Sequence, residues 1–182
     1  TAVVEEVKDE MLPYFTENYG NASALYDLGK KSKEAINIAR GRVARAINAK
    51  PNEIYFTSCG TESDNLILKG IAKAYRNKGN HIITSKIEHP AILNSCRSLE
   101  KEGVRVTYLN VDKNGFVDLR ELEKAINKDT ILISIMMANN EIGTIEPVQE
   151  IAEIAHINNV IFHTDAVQAI GNIKIDVKKL GI

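Results

Sequence analysis

The sequence predicts an α/β fold: a three-layer α/β/α arrangement around a mostly parallel sheet. Three observations predict it. Five short runs rich in β-branched and aromatic residues alternate with segments of helical periodicity. One of those runs, Thr130–Met137 (TILISIMM), is almost continuously apolar, as a strand covered on both faces should be. No internal repeat, low-complexity tract or Pro/Gly/Ser linker interrupts the alternation.

The elements follow in order. The segment before Tyr26 predicts a short helix, broken at Pro13, and then a loop. Ala35, Ile38, Ala39, Val43, Ala46 and Ile47 mark one face of a helix, interrupted only by Arg42. Glu53–Thr57 (EIYFT) predicts the first strand. Ile67, Ile71 and Tyr75 mark the next helical face, with Gly79 where a C-cap glycine would fall. Strands are then predicted at His81–Ser85, Val104–Leu109, Thr130–Met137 and Val160–Thr164. Asn114-Gly115 predicts a tight turn, and Asp118 with Glu121 a capping box. Pro147 suits the first turn of a helix whose apolar face is Val148, Ile151, Ala152 and Ala155. The expected organisation is an N-terminal helix and loop over 1–26 and an α/β domain over 27–182.

Composition narrows the function classes. The 182 residues suit one domain or most of one, and 44% hydrophobic with 26% charged residues is ordinary for a soluble globular domain. A net charge of −1 argues against a protein built mainly to grip nucleic acid or anionic membrane. The longest nearly apolar run, Ile131 to Ala138, is far short of the roughly 20 residues a membrane span needs. No secretory signal opens the chain, and Cys59 and Cys96 form no CxxC, so a reducing, cytoplasmic setting is expected. The four histidines are scattered and no metal site is expected.

In an open α/β sheet, ligands collect at the carboxyl ends of the strands. Four polar clusters follow predicted strands: Ser58-Cys59-Gly60-Thr61-Glu62, Glu88-His89-Pro90, Asn139-Asn140-Glu141, and Asp165 with Gln168. Parallel strands would gather them on one edge. Gly60 and Thr61, at a helix start, offer backbone N–H groups and a hydroxyl to an anion, or Thr61 simply caps the helix. His89 is a proton carrier or stacking ring, or only a helix-start residue. Asn139 and Asn140 also read as turn residues supporting positive φ, the commoner role of paired Asn. Asp165, at a strand end, seeks a cationic partner or is the N-cap of a next short helix. Cys59 and Cys96 read as small interior hydrophobes.

FTSCGTESDNL, IEHPAIL, MMANNEIGTIEPV and HTDAVQAIG, in this order, closely resemble signatures of cysteine desulfurases, pyridoxal-phosphate enzymes of aminotransferase fold type I. MLPYFTENYGN and NGFVDLRELEKAI extend the resemblance over nearly the whole chain. It implies that Gly60 and Thr61 hold the cofactor phosphate. His89 would be catalytic, stacking on the pyridine ring and taking part in acid/base steps. Asn140 and Gln168 would hydrogen-bond the phenolic oxygen, and Asp165 would pair with the pyridine nitrogen. The implied reaction takes sulfur from L-cysteine, leaving L-alanine and an enzyme persulfide that feeds Fe–S cluster assembly or tRNA modification. A homodimer and a sulfur-acceptor or Fe–S scaffold protein are the implied partners. A selenocysteine lyase, another fold type I enzyme, or a non-catalytic scaffold derived from one are the alternatives.

The sequence departs from the family in several places. The chain resembles the N-terminal part of the large domain. The Schiff-base lysine, the mobile catalytic cysteine and the small C-terminal domain belong to stretches beyond the match to Ile182. Ala22 stands where the family usually has proline and Tyr26 where histidine is common. Lys69, Lys73 and Lys86 lie outside the lysine loop. The chain alone is therefore expected to be inactive.

Overall fold

A computed structural model of the protein describes residues 2–182, which divide into two compact units, 2–55 and 56–182. The expected 26/27 boundary falls inside the first unit, just before its long helix, rather than at the division between the units. That unit holds α1 (Glu5–Met11), α2 (Pro13–Thr16, with Pro13 at its first position), α3 (Asp27–Ala46) and a 3₁₀ turn at Pro51–Glu53. The apolar face predicted for α3 is not its buried face. Gly29, Ser32 and Ala44 are buried instead, while Ala35, Ile38 and Ala39 line a broad groove of about 990 Å³ that α1 also borders.

EIYFT does not become a strand. Pro51 sets the first position of the 3₁₀ turn, and the Glu53 carboxylate reaches back to accept the Lys50 N–H at 2.7 Å. Ile54 resumes an extended course, but the segment joins no sheet, and Tyr55 is 81% exposed. A β-prone run without a partner strand has nothing to close its ladder.

The second unit contains the other four predicted strands, each within a few residues of its expected limits: β1 (His81–Ser85), β2 (Arg105–Leu109), β3 (Thr130–Ser134) and β4 (Ile161–His163). They form one sheet in the order β2-β1-β3-β4, all parallel. Helices α4 (Gly60–Ala74), α5 (Pro90–Lys101), α6 (Leu119–Ala125), α7 (Val148–Ile157) and α8 (Val177–Leu180) complete the unit. Strand alternation sends Ile82 and Leu132 to one face, where they pack with Leu68 and Ala72 of α4 and Ile92, Cys96 and Leu99 of α5. Ile83 and Ile133 point to the other face, against Leu122 of α6 and Ile151 and Ala155 of α7. Those two apolar clusters make the three layers.

Local signals translate unevenly. The α7 face is buried as predicted, at Val148, Ile151, Ala152 and Ala155. On α4 the buried face is rotated by one residue, to Leu68 and Ala72, with Ile71 and Tyr75 packed beside it. Gly79 is no helix cap, because α4 has ended at Ala74. It lets the backbone press against that of Asp129, where a Cβ would collide. Asp118 caps α6 by accepting the Arg120 N–H at 2.8 Å, but Glu121 turns to Asn110 rather than closing the box.

The strand order places the topological switch between β1 and β3. From β1 the chain runs outward to β2, then returns past β1 to β3. Loops leaving β1 and β3 therefore diverge at their carboxyl ends and open a crevice there. No helix among the described residues is long and apolar enough to cross a membrane.

Candidate functional site

A cavity of about 230 Å³ occupies that crevice. Gly60, Thr61, His89, Asn140, Asp165 and Gln168 all line it, drawn from four separate segments, together with Cys59, Asp64, Met136, Ala138 and Val167. The sequence-predicted residues are thus brought together.

Helix α4 aims its N-terminus at this cavity. Its N-cap is Cys59 and no side chain makes a cap hydrogen bond there; Thr61 lies inside the first turn and is not the cap. An N-terminus without an oxygen cap keeps the positive end of the helix dipole available to an anion. Gly60 allows the close approach of the facing turn, since a Cβ on it would meet Val167 Cγ2 at 2.9 Å. Cys59 is exposed rather than interior, contrary to expectation. Hydrogen bonding from the Glu62 backbone, and then from the Ser58 hydroxyl, lowers its thiol pKa. Cys96 is buried as expected, and burial pushes its thiol up to about 12.

His89 both caps α5 and lines the cavity. Its Nδ1 accepts the Ala91 N–H at 3.1 Å, which leaves Nε2 as the nitrogen able to carry and exchange a proton. Asp165 likewise does two things: Oδ1 accepts the Val167 N–H at 2.9 Å, while the residue lines the cavity wall. Neither Asn139 nor Asn140 takes positive φ. Asn139 is buried; its Oδ1 accepts the N–H groups of Glu141 and Ile142, and its Nδ2 donates to the Ile87 carbonyl.

Sequence reasoning missed two titratable groups at the cavity, Asp64 in its lining and His163 beside Asp64. Asp64 is buried on α4, and desolvation, reinforced by Asp165, raises its pKa to about 6. Its spacing of four from Gly60 and three from Thr61 was the available signal. His163, at the end of β4, is lowered to about 4 by burial. It stands 3.8 Å from Asp64 Oδ1, but a neutral imidazole makes this no ion pair near neutral pH. Glu88, which the sequence placed in a polar cluster with His89, is instead buried between β1 and the segment after β3.

The donor set suits a ligand with two unlike ends. A helix N-terminus with a hydroxyl suits an anion, and the Asp165 carboxylate, whose charge Asp64 feels, suits a protonated nitrogen. His89, Asn140 and Gln168 line the same cavity and offer a ring and two amides to a planar group. A phosphorylated pyridine fits that chemistry.

The aminotransferase class-V model matches residues 1–182. The chain belongs to the aminotransferase class-V family. Within it, the chain is 63% identical over 182 residues to cysteine desulfurase IscS of Methanosarcina thermophila, covering 100% of this chain and 45% of that protein. It is 60% identical over 177 residues to cysteine desulfurase IscS of Clostridium botulinum (strain Kyoto / Type A2), covering 97% of the chain and again 45% of the relative. Among solved structures, a NifS-like protein superposes with a TM-score of 0.97 at 42% identity, over all of this chain and 50% of that one. The chain thus spans under half the length of the curated relatives it matches.

Proposed function

We propose that this chain forms the cofactor pocket of a cysteine desulfurase, which takes sulfur from L-cysteine and leaves L-alanine and an enzyme persulfide. The carbon–sulfur bond breaks and the sulfur passes to a thiolate, to be delivered onward to a sulfur-acceptor protein for Fe–S cluster or tRNA use. The observation that carries the reading is the convergence of a helix start without an oxygen cap, an imidazole, two amides and a carboxylate on one crevice.

When bound, pyridoxal 5′-phosphate supplies an electron sink for charge developing at the substrate α-carbon. The chain's own residues bind and orient. Gly60 and Thr61 would hold the phosphate through the α4 N–H groups and the Thr61 hydroxyl. The Asp165 carboxylate would accept the ring N–H and keep the proton on that nitrogen. Asn140 and Gln168 would donate to the phenolic oxygen. His89 would lie on the ring, with Nε2 free to take or give a proton because Nδ1 is held by Ala91. A homodimer completes the reading.

Equilibrium dialysis of the purified chain against pyridoxal 5′-phosphate tests it. Saturable binding that weakens on Asp165→Ala is expected; no binding, or binding indifferent to Asp165 and Thr61 substitutions, would refute it.

A further inference from the structure

Glu88 is a buried carboxyl in an unusual setting. It is 4% exposed; its Oε1 accepts the Ser85 hydroxyl at 2.6 Å and the Met136 N–H at 3.0 Å, and its Oε2 has no partner. The reason lies in the sheet. Beyond β3, Ile135 and Met137 donate their N–H groups to the carbonyls of His163 and Asp165, on the β4 side. Alternation therefore turns the Met136 N–H toward β1. The β1–β3 ladder has by then ended at Thr84–Ser134, because the chain after Ser85 turns away toward α5. Glu88 reaches back and supplies the acceptor that the missing strand would have given.

A second strap holds the same turn. Asn139 Nδ2 donates to the Ile87 carbonyl at 2.9 Å, while its Oδ1 gathers the N–H groups of Glu141 and Ile142 at 2.9 and 3.0 Å. The turn carrying His89 and the segment carrying Asn140 are thus tied together by two buried side chains, neither of which lines the cavity.

We propose that Glu88, together with Asn139, is a positioning residue that sets where His89 and Asn140 stand in the cavity. The role in ligand binding rests on the cofactor reading above; the role in placing His89 does not. The charge state of Glu88 is part of the device. Burial, with Asp165 and Glu146 adding like charge, pushes its pKa to about 8 against the opposing hydrogen bonds from Ser85 and Met136. Cys96 on α5 feels the same carboxyl. Near neutrality Glu88 is therefore mostly a neutral acid, and ionising it adds negative charge behind Asp165.

The experiment compares the full chain with Glu88→Gln, Glu88→Ala and Asn139→Ala. The His89 ring resonance, assigned through His89→Gln, is followed by NMR from pH 5.5 to 9 without ligand, beside thermal melting and pyridoxal 5′-phosphate affinity. In the parent chain the His89 signal should show an inflection near the Glu88 pKa, and Glu88→Gln should abolish it while keeping the fold. Glu88→Ala and Asn139→Ala should displace the signal at every pH and weaken cofactor binding about tenfold. A lowered melting temperature with an unmoved His89 signal would mean that Glu88 only packs, and the proposal fails. If Glu88→Ala does not fold, the parent and Glu88→Gln decide alone: identical His89 titrations overturn the proposal. If the parent chain binds no cofactor, the cofactor reading falls, and the ligand-free His89 signal still decides the positioning role.

Discussion

Asp64 Oδ1 lies 3.8 Å from His163 Nε2, and burial biases both groups toward their neutral forms. The consequences for stability have opposite signs. His163 titrates near 4 when folded, below its ordinary value, so its contribution is present above about pH 6.5 and is lost as pH falls through 4. Asp64 titrates near 6, above its ordinary value, so its contribution is full below about pH 3.8 and is lost as pH rises through 6. Asp64→Asn should therefore gain stability relative to the parent on going from pH 4 to pH 7, by about 1–2 kcal/mol. His163→Gln should flatten the acid limb between pH 6.5 and 4. Denaturant melts across this range check both signs.

Cofactor affinity should rank the cavity residues. A charge-assisted hydrogen bond is worth roughly 1.5–3 kcal/mol, so Asp165→Ala should weaken pyridoxal 5′-phosphate about ten- to a hundredfold. Thr61→Ala should cost less, because the α4 backbone still offers N–H groups to the phosphate. Parallel binding titrations of the two variants give the order; a larger loss at Thr61 would reverse the assignment of the two ends.

The sheet and the cavity rim were legible in the sequence because each rests on local pattern. The α7 face is read correctly since its apolar positions follow one helical stripe, and TILISIMM reads as a buried strand since it meets apolar layers on both sides. EIYFT misleads because β propensity says nothing about whether a neighbouring strand exists, and here Glu53 closes a 3₁₀ turn on Lys50. Glu88 stays hidden for a tertiary reason. In sequence it is a charged residue beside a histidine, and only the divergence of β1 from β3 reveals why its carboxyl is buried. Cys59 was misplaced for a similar reason: a small residue is assigned to the interior by type, whereas its position at a helix start facing a crevice exposes it.

The two thiols should differ sharply toward alkylating reagents. Cys59 is exposed with a lowered pKa, and Cys96 is buried with its pKa near 12. Iodoacetamide at pH 7.5 should modify one thiol in the native chain, with the second reacting only in denaturant, a rate difference of about a hundredfold or more. Ser58→Ala should slow the reaction at Cys59 by removing a hydroxyl that favours the thiolate. Pyridoxal 5′-phosphate should protect Cys59 if it enters the cavity that this residue lines. Mass spectrometry of the alkylated chain reads all three outcomes.

Gly60 and Val167 should be energetically coupled. A Cβ at position 60 would stand 2.9 Å from Val167 Cγ2, closer than side-chain carbons tolerate, and a β-branched valine is stiff about χ1. Gly60→Ala should therefore push the 165–168 turn away from the α4 N-terminus, even though alanine is otherwise the better helix former. Val167→Ala removes the colliding methyl and should recover most of the loss. In a double-mutant cycle the coupling expected for such direct contact is about 0.5–3 kcal/mol. Because Asp165 lies in the displaced turn, Gly60→Ala should also weaken pyridoxal 5′-phosphate, and Val167→Ala should restore affinity together with stability. Additive effects in the cycle would mean that the turn yields freely, and that Gly60 is needed for the anion alone.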